Sequence, residues 1–416
     1  MRDRYRPIIA TLLIASAGLT LGLISRGPVR QTAHISATVT HYDDGLEARV
    51  AARVTPGWTQ ASPAPSAAPA TAGPTPDAAI SLAPPPTAAV PMSPTRSGQP
   101  AASQPPPPPP PQPAGATPIA WGIYNPGFPG NFGAIQNAES KLGKGSAIVM
   151  WYKHWGGPYS AFHAPDFQAV LNHGSVPMVT WMSDDYSLPG YPNNSSQTGF
   201  TDARIAAGAF DPFIQSWAAG LRQLGRPVLL RLDHEMNGNW YAWSPGVNGN
   251  TAAQYVAMWR HVHDIFAREG ATNVRWVWSP NAGKPFGALY PGDNYVDWVA
   301  LDGYNWGMTN GWTPWQSFTT VFGQSYRDLL SLTNRPMMIA ETSGVEAGAP
   351  AGTSKAAWIT SMASEISRNF PRVRALIWFD QNNGNGQDFR IDSSAASLNA
   401  LIAALRSPTF VSSFAP

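Results

Sequence analysis

Eight apolar, strand-like runs recur along the sequence, and this repetition restricts the fold more than any other feature. Segments between the runs carry apolar residues at helical spacing, such as Tyr255, Trp259, Val262 and Phe266. Eight strands that alternate with helices over about 250 residues or more are typical of a (β/α)8 barrel. We therefore predict an α/β protein with a (β/α)8 TIM barrel. The eight runs cover 119–125, 146–155, 175–183, 226–235, 274–281, 296–306, 335–343 and 373–381.

The main structural alternative is an open, doubly wound sheet, which also alternates strands with helices. Such a sheet usually has a Gly-rich phosphate loop directly after its first strand. No loop of that kind follows 119–125, so the barrel is favoured.

The barrel is predicted for 117–416 only, because the rest of the chain has a different composition. Residues 1–27 contain three arginines ahead of an apolar run at 8–24, which is typical of an export signal. The run is long enough to remain as a membrane anchor, and no clear small-x-small cleavage site follows it, so both alternatives stay open. Residues 28–116 are rich in Pro, Ala, Ser and Thr and are expected to form a disordered, semi-stiff linker. We expect an exported protein that is either secreted or anchored at the cell surface through 8–24.

Composition excludes several classes of site in the predicted barrel. The sequence has no cysteine, which rules out disulfides and thiolate metal or redox sites. The net charge is +2 and no stripe of lysine and arginine occurs, which argues against a nucleic-acid partner. No metal and no other cofactor is predicted. The chain has 17 tryptophans, more than a core of this size needs.

Polar and aromatic residues collect at the carboxyl ends of the predicted strands. In a barrel these ends meet on one face, where active sites lie. The residues at these ends are Lys153, His154, Trp155, Asp184, Asp185, His234, Glu235, Ser279, Asn281, Asp302, Tyr304, Glu341, Trp378 and Asp380.

The run "RLDHEMNGNWYAW" at 231–243 contains a His-Glu pair that also begins a zinc-protease motif. That motif needs a second histidine four residues after the first, so that both imidazoles share one helical face. Position 238 is glycine, and the pair follows a strand rather than lying on a helix. The zinc-protease interpretation is therefore excluded.

Glu235 ends the fourth predicted strand and Glu341 the seventh, so the two carboxyls should face one another across the barrel mouth. A retaining glycosidase needs such a pair: one carboxyl protonates the leaving oxygen and the other attacks the anomeric carbon. The alternative is that each glutamate is an ion-pair partner, as Glu235 would be with Arg231. The surrounding aromatic residues favour the catalytic interpretation.

The run "RLDHEMNGNWYAWSPG", together with "MMIAETSG" on a later strand, resembles glycoside hydrolase family 26, the β-mannanase-type family of retaining (β/α)8 barrels. The resemblance implies that Glu235 is the acid/base and Glu341 the nucleophile. It implies that His234 contacts the sugar beside the cleavage point and that Tyr304 donates a hydrogen bond to the nucleophile. It further implies that Trp378 forms the floor under that sugar, and His154 is a counterpart of a family histidine in the same subsite.

Aromatic residues near the carboxyls suit a carbohydrate ligand. Sugar rings have apolar faces and polar edges, so their clefts combine aromatic platforms with a few hydrogen-bonding groups. Trp240 and Trp243 follow the predicted acid/base and are predicted to bind substrate. Glu235 needs surroundings that keep it protonated, whereas Glu341 needs donors such as Tyr304 and Arg231, so a bell-shaped pH dependence is expected.

The sequence thus predicts a retaining endo-glycosidase whose partner is a β-linked polysaccharide. The family resemblance makes an endo-β-1,4-mannanase the first expectation. Mixed-linkage β-glucan, β-1,3-xylan or a bacterial exopolysaccharide are alternative substrates within the same family. A non-catalytic, polysaccharide-binding surface protein is the alternative from another class.

Overall fold

The computed structural model describes residues 34–38, 51–55, 117–189 and 196–416. The signal or anchor predicted at 1–27 lies outside the described residues, as does most of the predicted linker at 28–116. Within that linker two short strands, His34–Thr38 and Ala51–Thr55, pair in antiparallel fashion. No helix in the described ranges is long and apolar enough to cross a membrane.

Eight parallel strands form a closed barrel, which confirms the predicted fold. Each strand pairs with its sequence neighbour, and the last pairs with the first from Ala375 opposite Ala120 to Phe379 opposite Tyr124. Every predicted run overlaps one of these strands, and three of the strands extend one or two residues beyond the predicted end. The strands are β1 Ile119–Tyr124, β2 Ile148–Gly156, β3 Val176–Asp185, β4 Val228–Leu232, β5 Val274–Trp278, β6 Trp298–Asn305, β7 Met337–Gly344 and β8 Val373–Phe379.

Helices cover the outside of the barrel at every connection except one. Between β5 and β6 the chain forms two 3-10 turns, Gly287–Leu289 and Asp293–Tyr295, instead of an α-helix. The segment 279–297 contains several prolines and glycines, which disfavour a longer helix. The α-helices are α1 Gly133–Leu142, α2 Ala164–His173, α3 Asp202–Ala206, α4 Asp211–Leu224, α5 Ala252–Arg268, α6 Phe318–Leu332, α7 Lys355–Asn369 and α8 Ala395–Leu405.

The core has two layers that follow the alternation of side chains along each strand. Inward-facing residues such as Met178, Leu229 and Ile377 fill the barrel. Outward-facing residues such as Val179 and Leu376 pack against the helices. This alternation decides which strand-end side chains can reach the barrel mouth.

The barrel is closed at its amino end by the end of the chain. A ninth strand, β9 Phe410–Val411, pairs in parallel with Ile119–Ala120 of β1. The ring of Phe414 lies 5.1 Å from that of Trp298, at the start of β6. The last residues therefore fill the end of the barrel opposite the predicted site.

Candidate active site

The carboxyl ends of the strands surround a cavity of about 1380 Å³. Glu235 and Glu341 both line it, as the sequence predicts for a catalytic pair. Both carboxyls are largely buried, with 7% of Glu235 and 4% of Glu341 exposed, so they lie on the cavity floor.

Glu235 lies on a tight turn that follows β4. Asp233 and Glu235 both have positive backbone φ angles, 43° and 51°, which are uncommon for residues other than glycine. The turn is held because the Glu235 amide donates to the Ser279 carbonyl over 2.7 Å and its carbonyl accepts from the Gly238 amide over 2.9 Å. This backbone conformation fixes the direction of the carboxyl.

The lack of a side chain at Gly238 allows Trp240 to lie against the carboxyl of Glu235. A Cβ atom at position 238 would lie 2.6 Å from the indole of Trp240. Without that atom, Trp240 folds back and its Nε1–H donates to Oε2 of Glu235 over 2.9 Å. The glycine that argues against a zinc motif therefore allows Trp240 to pack against Glu235.

The surroundings of Glu235 raise its pKa, as a general acid requires. Burial and, next, the nearby charge of Glu341 raise the pKa of Glu235 to about 7. Hydrogen bonds from Trp240 and from the Asn281 amide, which donates to Oε1 over 2.7 Å, act in the opposite direction. The side chain therefore keeps its proton up to about neutral pH, and its conjugate base still has a donor on each oxygen.

Glu341 reaches the same cavity because β7 is irregular. The pairing with β6 runs from Leu301 opposite Ile339 to Asp302 opposite Glu341, so one residue of β7 is left over at Ala340. This bulge turns Glu341 inward directly after the inward-facing Ala340.

Three side chains donate hydrogen bonds to Glu341. Oε1 accepts from Arg231 and Tyr152, and Oε2 accepts from Tyr304. Arg231 is fully buried and also donates to Asp302, which accepts a further hydrogen bond from Ser279. Glu341 is therefore held as an acceptor with a fixed orientation. Nη2 of Arg231 donates to Glu341, while Nη1 donates to both carboxylate oxygens of Asp302.

Glu235 has no ion-pair partner among the residues described, in contrast to the alternative considered from the sequence. Arg231 lies instead between Glu341 and Asp302. The two glutamates thus have opposite surroundings: one is buried beside a negative charge, and the other beside a positive one.

Tyr152 is a site residue that the sequence interpretation missed. It lies on β2, lines the cavity and donates to the Oε1 atom of Glu341. Its ring also lies 5.7 Å from that of His234. The available signal was the alternation of β2, because Tyr152 precedes the predicted site residue His154 by two positions.

The two predicted histidines differ in their access to the cavity. His154 lines it, and its Nδ1 lies 2.6 Å from Asp184 Oδ1. His234 is almost fully buried, and burial, followed by the charge of Arg231, holds its pKa well below the usual range. A neutral imidazole at 234 can donate one hydrogen bond and accept another. Contact of either histidine with a sugar stays a prediction.

The prediction that Trp378 forms the sugar floor is corrected by the structure. Trp378 points outward from β8, is fully buried beside Trp358 of α7, and donates from Nε1 to the Phe389 carbonyl. Phe379, the next residue, faces inward and lines the cavity in its place. Alternation along β8 explains the difference, since neighbouring residues face opposite sides of the strand.

The prediction that Trp243 binds sugar is corrected for a similar reason. Trp243 is fully buried, stacks on Tyr241 with 4.5 Å between ring centroids, and donates to the His234 carbonyl over 2.8 Å. Trp243 therefore helps to hold the turn that carries Glu235. Trp240, in contrast, lines the cavity and donates a hydrogen bond to the carboxyl of Glu235.

The site combines a carboxyl with a raised pKa, a second carboxyl that accepts hydrogen bonds from three donors, and aromatic and amide groups around both. Such a site can donate a proton to a leaving oxygen on one side and offer a nucleophilic oxygen on the other. This is the division of roles that displacement at an acetal carbon requires.

Comparison with known proteins gives consistent results. Residues 179–334 match the sequence model of "Glycosyl hydrolase family 26". Endoglucanase H of Acetivibrio thermocellus is 37% identical over 275 residues, which is 64% of this chain and 28% of that protein. A mannan endo-1,4-beta-mannosidase of Bacillus subtilis is 25% identical over 227 residues, 50% of this chain and 57% of that protein. The chain thus spans between 28% and 57% of the length of these two curated relatives.

A solved structure with the same fold is the catalytic domain of the Bacillus sp. JAMB-750 GH26 endo-beta-1,4-mannanase. It superimposes with a TM-score of 0.55 and 19% identity, covering 70% of this chain and 87% of that one. At this identity the likeness concerns the fold alone.

Proposed function

The barrel of this chain belongs to glycosyl hydrolase family 26, and from this premise we propose that the protein is a retaining endo-glycosidase that hydrolyses a β-linked polysaccharide. The observation that carries the proposal is the pair of carboxyls with opposite surroundings on the floor of one cavity. Glu235 has a pKa raised to about 7, and Glu341 accepts from Arg231, Tyr152 and Tyr304.

In the first step a carboxylate oxygen of Glu341 attacks the anomeric carbon of the sugar. Glu235 gives its proton to the glycosidic oxygen as that bond breaks, and a covalent ester to Glu341 forms. The released Glu235 carboxylate keeps its two donors, Trp240 and Asn281, which stabilise the charge that has just formed.

In the second step Glu235 takes a proton from water, and the water oxygen attacks the anomeric carbon. The ester bond breaks and Glu341 leaves as a carboxylate, which again accepts from its three donors. Two inversions give net retention of configuration. The cavity of about 1380 Å³ supports cleavage within a polymer, because its lining includes aromatic and amide side chains from several loops besides the two carboxyls.

For the substrate, β-1,4-mannan is the first candidate, as expected from the family resemblance, and the mannanase relative supports it. A β-glucan is the second candidate, because the relative with 37% identity is named an endoglucanase. Export belongs to the same proposal, since a polysaccharide of this size does not cross a membrane to meet an enzyme inside the cell.

The test is reducing-end release by the full chain from mannan, galactomannan, glucomannan, mixed-linkage β-glucan and β-1,3-xylan. We expect turnover of at least one polymer and a loss of about 10⁴-fold or more in Glu341→Gln, which removes the nucleophile at constant size. NMR of the first product should show the β-anomer. Binding of a polymer without turnover would support the non-catalytic alternative instead, and release of the α-anomer would contradict the retaining mechanism.

A further inference from the structure

A loop between β6 and α6, residues 306–317, exposes a tryptophan at the rim of the cavity. Trp312 is 79% exposed, yet it lines the same cavity as the two buried carboxyls. The carboxyls lie at the floor, so the indole lies at the solvent edge of the same cleft. Because the Trp312 ring is exposed, it contributes little buried apolar area to the fold and presents a flat apolar surface to solvent.

The loop tip is fixed by its own hydrogen bonds. The Met308 amide donates to the Thr313 carbonyl over 2.6 Å, and the Gly311 amide donates to the Met308 carbonyl over 2.8 Å. Oδ1 of Asn310 accepts from the amides of Trp312 and Thr313. The backbone that carries the indole is therefore ordered before any ligand binds, which lowers the entropic cost of binding.

The loop continues the wall of the cleft that begins at the nucleophile. Tyr304 donates to Glu341, the Trp306 ring lies 5.2 Å from that of Tyr304, and Trp312 follows six residues later. The loop after β8 lies beside it, because Nε2 of Gln387 donates to the Thr309 carbonyl over 3.2 Å.

Neutral hydrogen-bonding groups surround the indole. The cavity-lining side chains of these two loops are amides, hydroxyls and aromatic rings, without a single charge among them. Amides and hydroxyls both donate and accept, as neutral sugar hydroxyls require. The polar cavity-lining residues of these two loops include Thr309, Asn310, Thr313, Asn383, Asn385 and Gln387.

We propose that Trp312 is a platform for a neutral sugar residue of the polysaccharide chain, at a rim subsite beyond the sugars that flank the cleaved bond. The inference rests on the proposed function, because it takes the ligand to be another part of the same polymer. Its consequence is that the protein binds long chains better than short ones, through a contact that has no part in bond cleavage.

The experiment compares the full chain with Trp312→Ala, Trp312→Phe and a control, Tyr159→Ala. Tyr159 is also an exposed aromatic residue, 74% exposed, but it does not line the cavity. Kinetics are measured on the polymer cleaved most rapidly and on its oligosaccharides of increasing length. Affinity electrophoresis in gels that contain each polymer gives a second, activity-independent readout.

We expect Trp312→Ala to raise KM for the polymer roughly tenfold, the effect of losing one good ring contact, with kcat unchanged. The shortest cleaved oligosaccharide should show the wild-type KM, because it does not reach the rim. Trp312→Phe should keep most of the affinity, and Tyr159→Ala should match the wild type.

An unchanged polymer KM in Trp312→Ala would overturn the platform while leaving the proposed function intact. An equal rise in KM for the shortest oligosaccharide would also overturn it, since it would indicate general damage to the cleft. If the wild type cleaves no polymer, the proposed function fails, and affinity electrophoresis then tests the platform by itself. Retardation of the wild type but not of Trp312→Ala in a polymer-containing gel would support the platform. Equal migration of the wild type and Trp312→Ala in every gel would overturn it.

Discussion

Glu235 accepts a hydrogen bond on each carboxylate oxygen although its surroundings favour the protonated form. Burial and the charge of Glu341 raise its pKa to about 7, while Trp240 and Asn281 act to lower it. The donors are aligned with the charge that appears when the proton leaves, so they assist the step in which Glu235 acts as an acid. Trp240 is therefore a partner of the acid/base as well as a part of the cleft wall.

This balance predicts how Trp240→Phe changes the pH dependence. The phenyl ring keeps an apolar surface but has no N–H, so the charged form of Glu235 loses a donor and its pKa rises. Because Glu235 must be protonated to act as an acid, kcat/KM should fall as pH rises through about 7 in the wild type. In the variant this alkaline limb should move upward by about one pH unit, the size expected for one hydrogen bond to a charged group.

The measurement is the pH profile of kcat/KM on a soluble substrate. Trp306→Phe is the matched control, because Trp306 lines the same cavity and is not among the groups that shift the pKa of Glu235. An alkaline limb that stays in place or moves to lower pH in Trp240→Phe would contradict the assignment of the donor.

At this scale the sequence predicted which residues meet in the cavity better than the orientation of individual tryptophans. The two glutamates were placed there because both end barrel strands, Tyr304 was placed there from the family resemblance, and all three line the cavity. Trp378 was assigned to the cleft from the family resemblance, but its position in the alternation of β8 points it toward α7. Tyr152 was missed because an aromatic residue inside an apolar strand looks like core.

At the scale of elements, two local irregularities could not be derived from hydrophobic patterns. The bulge at Ala340 depends on pairing with β6 and β8, which are distant in sequence, and it alone turns Glu341 inward. The missing helix between β5 and β6 could have been inferred from the prolines and glycines of 279–297. The strands themselves were predictable because each is a buried apolar run between polar segments.

The loops after β6 and β7 are packed backbone against backbone. A Cβ atom at Gly348 would lie 1.8 Å from the Gly307 carbonyl oxygen, and one at Gly307 would lie 2.2 Å from the Ala347 carbonyl oxygen. Both glycines also have positive φ angles. The loop that carries Trp312 therefore contacts, through its backbone, the loop that follows Glu341.

Gly348→Ala should consequently destabilise the protein far more than Gly352→Ala. Both positions have positive φ, 72° and 80°, so each alanine should cost about 1–2 kcal/mol of backbone strain. Only Gly348 faces a close backbone atom, whereas Gly352 faces open space, so overpacking should add about 1–3 kcal/mol in Gly348→Ala. Thermal unfolding of the two variants measures the difference, and equal melting temperatures would show that the loops separate without cost.

At the scale of the whole molecule, the barrel is closed using residues from both ends of 117–416. β1 pairs with β2 and β8 along the barrel wall, and its first residues also pair with β9. The Ile119 amide donates to the Thr409 carbonyl over 2.7 Å, and Lys144 donates to the Phe410 carbonyl. The sequence could predict eight strands but not this arrangement of the ends, because it depends on contacts across almost 300 positions.

The fragment 117–416 should therefore unfold at the same temperature as the full chain and cleave a soluble polymer with the same kcat/KM. It contains all eight strands, the ninth strand and, among the residues that the structure describes, each hydrogen-bond donor to the carboxyls of Glu235 and Glu341. The matched control is the fragment 126–416, which lacks β1 and leaves β2, β8 and β9 without their shared neighbour. Because that change removes the buried core residues Trp121 and Ile123 and exposes the edges of β2 and β8, the shorter fragment should not fold. A lower melting temperature of 117–416 would show that the segment before it stabilises the barrel, and cooperative unfolding of 126–416 would show that closure through β1 is dispensable.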